Sequence, residues 1–234
     1  MHNEKLMDKI LSTCAAMGFE FDTARREQLL RFIEELLQWS GRIHLIGKRN
    51  AHDTIRMQVV DSLLMLRFAA THGVIAGEGG WKGYGSQDAA TESPEGVRVA
   101  DIGSGAGFPG IIWKIASPDL DVTLYERRRK PLRFLERTIA VLGMPGIGVR
   151  GVDAARSRET GSFDVVVSKA AGRLDQLLPI AAGILRGGGM YITIKGKGWE
   201  KEADSVKPAL FSLRSSEALP GGRGTALLFD ICRE

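Results

Sequence analysis

The residues best suited to chemistry lie in one stretch, VRVADIGSGAGFPGIIWKIA (97–116), where an apolar run meets three alternating glycines and then a second apolar run. Glycines in such a turn let the backbone approach a ligand closely, and a helix that follows offers unpaired backbone N–H groups. A phosphate-binding Walker loop requires Gly-Lys followed by Ser or Thr, and the sequence has no such motif. The stretch therefore predicts a ligand-binding turn of another kind.

Two ligand classes fit the glycine spacing. Gly105, Gly107 and Gly110 satisfy the dinucleotide pattern G-x-G-x-x-G. The apolar strand pattern ends at Ile102, however, so the tight turn begins at Gly103, earlier than the dinucleotide pattern places it. A better description is an acidic residue followed by alternating glycines: Asp101, Gly103, Gly105 and Gly107.

That pattern, with an acidic residue at the end of the next strand, resembles the S-adenosylmethionine site of class I methyltransferases. In such a site Asp101 would orient the methionine ammonium, and Glu126 would accept hydrogen bonds from both ribose hydroxyls. Asp153 would accept from the adenine amino group, although an aspartate there also suits a turn or a helix cap. Because an acidic residue at position 126 also suits NAD, Glu126 alone does not decide between the two cofactors.

The elements that must position these residues alternate between short apolar strands and helices from residue 97 onward. Such alternation implies crossover connections and a mostly parallel sheet. The last two strands, PALFSLRSS and TALLFDI, predict a closing antiparallel hairpin around PGGRG. The predicted fold class is therefore α/β, with a mostly parallel seven-stranded sheet and an N-terminal helical extension. The resemblance described above implies that this is a Rossmann-like class I methyltransferase fold. Ligands of such sheets dock at the C-terminal ends of the strands, where the glycine turn lies.

The chain divides into three predicted parts. Residues 1–71 form a helical region, in which apolar residues recur at helical spacing after a cap at Asp22 or Thr23. Residues 72–96 hold seven glycines and little periodicity, which predicts a linker or an insertion. Residues 97–234 form the predicted methyltransferase domain.

Composition is that of an ordinary globular protein of 234 residues, with 44% hydrophobic and 26% charged residues. No apolar run approaches the roughly 18 residues that a membrane span needs, and the start MHNEKLMDK lacks a signal-peptide pattern, so we expect a cytoplasmic protein. Cys14 and Cys232 are the only cysteines and have no metal-ligand spacing. We therefore expect neither a disulfide framework nor a metal site.

Positive charge is concentrated in the C-terminal part of the chain. Of the net charge of +4, residues 1–71 contribute +1, residues 72–96 contribute −3 and residues 97–234 contribute +6. This balance permits a polyanionic partner, but many proteins with the same balance bind none. Charge alone therefore leaves both interpretations open.

Several blocks together resemble the RsmG (GidB) family: LLQWSGRIHLIGKRN, VVDSLL, DIGSGAGFPGIIWKIASPDLDVTLYERRRKPLRFLERTIAVLGM, FDVVVSKA and YITIKGKG. The resemblance covers most of residues 22–200, and GSGAGFPG with Phe108 and Pro109 is its most specific part. Members of that family use S-adenosyl-L-methionine to methylate N7 of a guanine in a loop of bacterial small-subunit ribosomal RNA. The resemblance implies the same reaction here, with 16S ribosomal RNA or the small ribosomal subunit as partner. We further expect a monomer without a membrane partner.

The resemblance also implies cofactor contacts at Gly103, Phe108, Asp153, Ala154 and Lys169. With the glycine turn and the acidic residues added, the predicted cofactor site comprises Asp101, Gly103, Ser104, Gly105, Gly107, Phe108, Glu126, Asp153, Ala154 and Lys169.

The chain departs from the family pattern at several of these positions. The family usually has Arg in place of Lys169, Asp in place of Glu126, and Ala-Glu in place of Asp153 and Ala154. It commonly has Asn-Leu-Thr where this chain has His-Leu-Ile at 44–46, and its histidine in the second helix of this pattern is replaced by Gln58.

The predicted RNA contacts are basic residues. Positive charge at the start of the helix that begins near residue 129 opposes the helix dipole by roughly 0.3 to 1 kcal/mol per charge, which a backbone phosphate or Glu126 and Glu136 could offset. A solvated basic face is the alternative interpretation. The candidates are Arg42, Lys48, Arg49, Arg127, Arg128, Arg129, Lys130, Arg173, Lys195 and Lys197.

The groups that the sequence lacks also bear on the reaction. Guanine N7 has a free lone pair, so no general base and no catalytic residue is predicted, and alignment supplies most of the catalysis. Exocyclic-amine methyltransferases usually carry Asp/Asn-Pro-Pro-aromatic after the fourth strand, where this chain has SKAAGR. Cytosine C5 enzymes need a cysteine nucleophile there, and neither cysteine is suitably placed. Methylation of a small molecule or a protein remains an alternative, as does a non-catalytic RNA-binding protein with a degenerate methyltransferase fold.

Overall fold

The computed structural model describes residues 2–43, 45–46, 50–75, 96–206 and 211–232. The predicted RNA contacts Lys48 and Arg49, and most of the 72–96 segment, lie outside these residues. Within the described ranges, no helix combines the length and apolar character that crossing a bilayer requires. The helices are α1 (His2–Ala16), α2 (Thr23–Ser40), α3 (Ala51–Thr71), α4 (Gly110–Ala116), α5 (Arg129–Leu142), α6 (Leu174–Ile184) and α7 (Trp199–Asp204). The strands are β1 (Arg98–Ile102), β2 (Asp121–Tyr125), β3 (Ile147–Arg150), β4 (Phe163–Lys169), β5 (Leu185–Lys195), β6 (Phe211–Ala218) and β7 (Thr225–Ile231).

The strands form one seven-stranded sheet in the order β3-β2-β1-β4-β5-β7-β6. The first five strands in this order are parallel, and β7 runs antiparallel to both β5 and β6. This arrangement confirms the predicted α/β class, the mostly parallel sheet and the closing hairpin. The chain leaves β1 toward β2 and later returns to β4 on its other side, so the C-terminal end of β1 is the point at which ligands of such sheets dock.

Helices cover both faces of the sheet, which explains why the central strands β1 and β4 are mostly buried on both faces. Because side chains alternate between the two faces, Val99 belongs to a core shared with α1 to α5, whereas Ala100 belongs to a core shared with α6. Both residues are fully buried. The hydrophobic cores thus fix β1, and with it the start of the glycine turn.

The three N-terminal helices pack onto the same core as the sheet. Asp22 caps α2, since its side chain accepts a hydrogen bond from the backbone N of Arg25 at 2.8 Å. The fully buried Trp113 in α4 donates its indole N–H to the carbonyl of Ser62 in α3 at 2.9 Å. Helix α3 is thereby fixed beside the glycine turn. The predicted division of the chain at residues 71 and 97 stays a prediction.

The fifth strand is longer than the sequence pattern indicates. MYITIK predicts a strand from residue 190, but β5 begins at Leu185, immediately after α6. Leu185 pairs with Phe163, and a shift of register precedes the pairing of Met190 with Val165. The intervening glycines carry no side-chain pattern, so periodicity could not reveal this extension.

Candidate active site

The glycine turn follows β1 directly and is fixed against the end of β2. The backbone N–H groups of Gly103 and Ser104 both donate to the carbonyl of Tyr125, at 2.9 and 3.1 Å. Gly103 has a φ of +74°, a conformation that favours glycine. A Cβ at this position would lie 2.9 Å from the Cβ of Ala171, which follows β4. The turn therefore requires glycine at position 103 for both its conformation and its close contact.

Asp101 lies beneath the turn and is fully buried. Its Oδ2 accepts a hydrogen bond from the backbone N of Gly110 at 3.1 Å, whereas its Oδ1 has no hydrogen-bond partner. Burial raises the pKa of Asp101 to about 7, against the opposing influence of Gly110, Ser104 and Lys169. The carboxyl group thus fixes the first turn of α4 to β1. The ammonium contact predicted for Asp101 stays a prediction.

A first cavity of about 430 Å³ opens at the C-terminal ends of β1, β2, β3 and β4. Its polar side includes Gly103, Glu126 and Asp153, and its apolar side includes Leu177 and Ile180 of α6. The predicted cofactor residue Ala154 also lines it. The structure thus brings predicted residues from three strand ends to one cavity.

The carboxylate of Glu126 accepts four hydrogen bonds at the edge of this cavity. Its side chain is only 3% exposed and forms an ion pair with Arg128. Burial alone would raise the pKa of Glu126, but hydrogen bonds from Arg128 and from the amide of Gly105 outweigh it and lower the pKa. The carboxylate is therefore ionised and faces several donors at once.

Asp153 begins the short 3-10 turn Ala154–Arg156. Its Oδ1 accepts from the backbone N of Ala155 at 3.1 Å, and its Oδ2 lies 3.3 Å from Nη1 of Arg127. The capping interpretation is confirmed, and the adenine contact stays a prediction. The hydroxyl of Tyr125 fixes the following residues by a hydrogen bond to Ser157 at 2.9 Å.

A second cavity of about 630 Å³ lies between the glycine turn, α3 and the β6–β7 hairpin. Predicted residues that line it are Gly103, Ser104, Gly105, Phe108, Arg128, Lys169 and Lys195. It shares Gly103, Arg128 and Ala170 with the first cavity, so the two meet at the glycine turn. Gly107 lines neither cavity, and its φ of +88° shapes the turn instead.

Lys169, the last residue of β4, supplies a cation to the second cavity. Its ammonium hydrogen-bonds to the side-chain oxygen of Gln58 and lies 5.0 Å from the centre of the Phe108 ring. Burial lowers the pKa of Lys169 to about 8, although Asp61 and Asp101 act in the opposite direction. The amide of Gln58 and the ring of Phe108 together position the Lys169 side chain.

The predicted RNA contacts lie in several different settings. Arg127 and Arg128 line the first cavity. Lys195 lines the second cavity but is already engaged, since its ammonium lies 2.7 Å from the carboxylate of Glu202 and donates to the carbonyl of Gly172 at 2.6 Å. Five others are exposed and line neither cavity: Arg42, Arg129, Lys130, Arg173 and Lys197.

Sequence reasoning did not assign Asp61 or Arg223 to the site. They form an ion pair at 3.1 Å that joins α3 to the β6–β7 hairpin, and both line the second cavity. The only local signal for Asp61 is a charge inside the apolar pattern VVDSLL. Arg223 gives no signal, because its partner is far away in the chain.

A family model described as GidB, rRNA small subunit methyltransferase G, matches residues 86–219. The chain belongs to this family. A ribosomal RNA small subunit methyltransferase G from Moorella thermoacetica (strain ATCC 39073 / JCM 9320) is 32% identical over 209 residues, which cover 85% of this chain and 78% of that relative. Another from Mycobacterium sp. (strain KMS) is 44% identical over 117 residues, or 49% of this chain. The aligned segment spans about half of that relative, 52% of its length.

The fold of this GidB-family chain is also found in a solved structure of low sequence identity. The crystal structure of MtNAS in complex with MTA and tNA is 16% identical, with a TM-score of 0.59 over 89% of this chain and 74% of the other. The two proteins therefore share the fold.

Lys169 and Gln58, two positions at which the family resemblance implies arginine and histidine, contact each other in this structure. The amide oxygen of Gln58 accepts a hydrogen bond directly from the Lys169 ammonium.

Asp101→Asn should flatten the pH dependence of stability. The pKa of Asp101 is about 7 in the folded state, against 3.8 for an aspartate in an unperturbed environment. The folded protein therefore binds an extra proton between these values, and the stability from this group falls by up to about 1.4 kcal/mol per pH unit as pH rises toward 7. Urea unfolding at pH 5, 6, 7 and 8 measures the slope. Asp8→Asn, at an exposed position in α1, is the control, and parallel curves for parent and Asp101→Asn would contradict the prediction.

Proposed function

We propose that this chain transfers the methyl group of S-adenosylmethionine to N7 of a guanine in 16S ribosomal RNA. The observation that carries the proposal is the buried Glu126 carboxylate, which lies beside the glycine turn at the edge of the first cavity. Family membership supports the choice of ribosomal RNA. We further propose that the protein acts as a monomer in the cytoplasm, where small ribosomal subunits are assembled, without a membrane partner.

The residues of the first cavity fit a nucleoside. A volume of about 430 Å³ lies within the usual range for small-molecule sites, which combine apolar walls with a few polar groups. Glu126 would hold the ribose hydroxyls, and Leu177 and Ile180 would contact the purine face. The backbone at Gly103 and Gly105 would face the methionine portion, because Gly103 lines both cavities and Gly105 lines the second.

The second cavity fits the methyl acceptor and the charged end of the cofactor. S-adenosylmethionine supplies, when bound, an electrophilic methyl group on a sulfonium. Lys169 would give the methionine carboxylate a cation, and Gln58 and Phe108 hold that cation in place. N7 carries no proton, so these residues need only align the acceptor and exclude water, and no side chain has to remove a proton.

The activity test uses labelled S-adenosylmethionine with small subunits, naked 16S ribosomal RNA and total protein from cells that lack this gene. Incorporation into ribosomal RNA, with 7-methylguanosine identified by mass spectrometry of the nucleosides, is the expected result. Label in protein or small molecules only would overturn the proposal. So would calorimetry that detects NAD binding but no binding of S-adenosylhomocysteine.

In the parent protein, cofactor affinity should fall as pH rises above 8, and Lys169→Arg should remove this fall. The pKa of Lys169 is about 8, so its ammonium is present below that pH and is lost as pH rises through it. Because the charged form would bind the methionine carboxylate, the dissociation constant of S-adenosylhomocysteine should rise by up to about tenfold per pH unit above pH 8. Because arginine stays protonated, the dissociation constant of S-adenosylhomocysteine should change less with pH in Lys169→Arg than in the parent protein.

Calorimetry between pH 7 and 10 measures the dissociation constant of S-adenosylhomocysteine for both proteins. The ligand's own amino group titrates in the same way with each protein, so it does not contribute to the difference between their profiles. Asp61 and Asp101 raise the pKa of Lys169, and Arg223 faces the same cavity in both proteins. Identical profiles for the two proteins would show that Lys169 does not contribute the charge.

A further inference from the structure

The carboxylate of Glu126 is saturated by donors of this chain. Its Oε1 accepts from the backbone N of Arg128 at 2.8 Å and from Nε of Arg128 at 3.1 Å. Its Oε2 accepts from the backbone N of Gly105 at 3.0 Å and from Nη2 of Arg128 at 2.9 Å. A carboxylate has about four lone-pair positions, so each additional donor must displace one of these four.

Only two of the four donors belong to a mobile group. The amides of Gly105 and Arg128 are fixed by the glycine turn and by the start of α5, where Arg128 is the N-terminal cap residue. The guanidinium of Arg128 ends a side chain that is 65% exposed. A ribose diol brings two donors, the same number as the guanidinium contributes. The guanidinium is therefore the group that a bound ribose would displace.

We propose that Arg128 exchanges Glu126 for an RNA phosphate when the cofactor binds, so that cofactor and RNA bind with positive coupling. This inference rests on the proposed function. In the part of the chain that the structure describes, Glu126 is the ion-pair partner of Arg128. Displacement leaves a planar, charged fork without that carboxylate, and such a fork matches the geometry of a phosphate.

The position of Arg128 suits this exchange. Its side chain lines both cavities, so it lies where the cofactor site and the acceptor site meet. Its neighbours Arg127 and Arg129 are exposed and extend the same positive surface. By thermodynamic linkage, a cofactor that raises RNA affinity must itself bind more tightly when RNA is present.

The exchange predicts that Arg128→Ala strengthens cofactor binding, although the variant loses a side chain that lines the site. Because the variant lacks the group that competes with ribose, it should bind S-adenosylhomocysteine about twofold to fivefold more tightly than the parent protein. It should also lose the effect of cofactor on RNA affinity. In the parent protein, saturating S-adenosylhomocysteine should tighten binding of unmethylated 16S ribosomal RNA about fivefold or more.

The experiment measures S-adenosylhomocysteine binding by calorimetry, and RNA binding by filter retention with and without saturating S-adenosylhomocysteine. It uses full-length parent protein, Arg128→Ala and the control Arg129→Ala. The control removes an adjacent exposed charge that makes no contact with Glu126 in the described structure. Arg129→Ala should bind RNA more weakly both with and without S-adenosylhomocysteine, and S-adenosylhomocysteine should still increase its RNA affinity. Weaker S-adenosylhomocysteine binding by Arg128→Ala, or equal loss of coupling in the control, would overturn the proposal.

A double-mutant cycle gives a second readout. Glu126→Ala should weaken S-adenosylhomocysteine binding by a factor about twofold to fivefold larger in the Arg128→Ala background than in the parent, because competition by Arg128 no longer offsets the ribose contacts. If Glu126→Ala weakened S-adenosylhomocysteine binding by the same factor in both backgrounds, the proposed exchange of Arg128 between Glu126 and phosphate would be contradicted. If the parent binds both ligands independently, this inference alone fails, whereas absence of S-adenosylhomocysteine binding by the parent overturns the proposed function as well.

Discussion

Replacing Gly103 by valine should reduce S-adenosylhomocysteine binding below the detection limit of calorimetry. The residue has a φ of +74°, which a β-branched side chain adopts only with strain of about 1 to 3 kcal/mol. Its Cβ would lie 2.9 Å from the Cβ of Ala171, and the valine methyl groups would project where the two cavities meet. We therefore expect both a lower thermal midpoint and a blocked site.

The control for this variant is Gly143→Val. Gly143 follows α5 with a φ of +58°, and a Cβ there would meet no atom within 4 Å. This variant carries similar backbone strain at a position that lines neither cavity, so it should lose stability and keep cofactor binding. If Gly143→Val lost binding to the same extent, loss of fold rather than blockage of the site would explain the Gly103→Val result.

The parts of the site that sequence could predict are those carried by local patterns. An apolar strand, a glycine turn and an acidic residue at the next strand end are consecutive features, and parallel strands bring their ends together at one edge. The sequence therefore predicts that Glu126 and Gly103 belong to one site. The fold class followed from the same alternation of strands and helices, because few topologies satisfy it.

The contacts that sequence could not predict join distant residues. The hydrogen bond between Lys169 and Gln58 and the ion pair between Arg223 and Asp61 depend on how α3 packs against the sheet. Residue type alone also does not reveal the partner. Lys195 has the charge of an RNA contact, but Glu202 lies within hydrogen-bond distance and neutralises it. An RNA role for Lys195 therefore stays a prediction that requires this ion pair to open.

Trp113→Ala should lower the free energy of unfolding by about 3 to 5 kcal/mol, because it leaves a large cavity in the core and removes the hydrogen bond to Ser62. Trp113→Phe keeps most of the apolar bulk and should cost less, since it loses the indole donor and part of the ring. Urea unfolding of both variants measures the difference. A loss below about 1 kcal/mol for Trp113→Ala would contradict its place in the core.

The same variant tests whether α3 is part of the site or only a cover for the sheet. Ser62 immediately follows Asp61, and Gln58 lies one helical turn earlier, so loosening α3 disturbs two residues that line the second cavity. The first cavity is built from α6 and the C-terminal ends of β1, β2, β3 and β4, and no residue of α3 lines it. At a temperature where Trp113→Ala remains folded, RNA affinity should therefore fall by a larger factor than S-adenosylhomocysteine affinity. On the cofactor side, α3 supports the proposed methionine end through the hydrogen bond between Gln58 and Lys169. Equal losses would indicate that α3 supports the whole sheet and has no particular role in binding the acceptor.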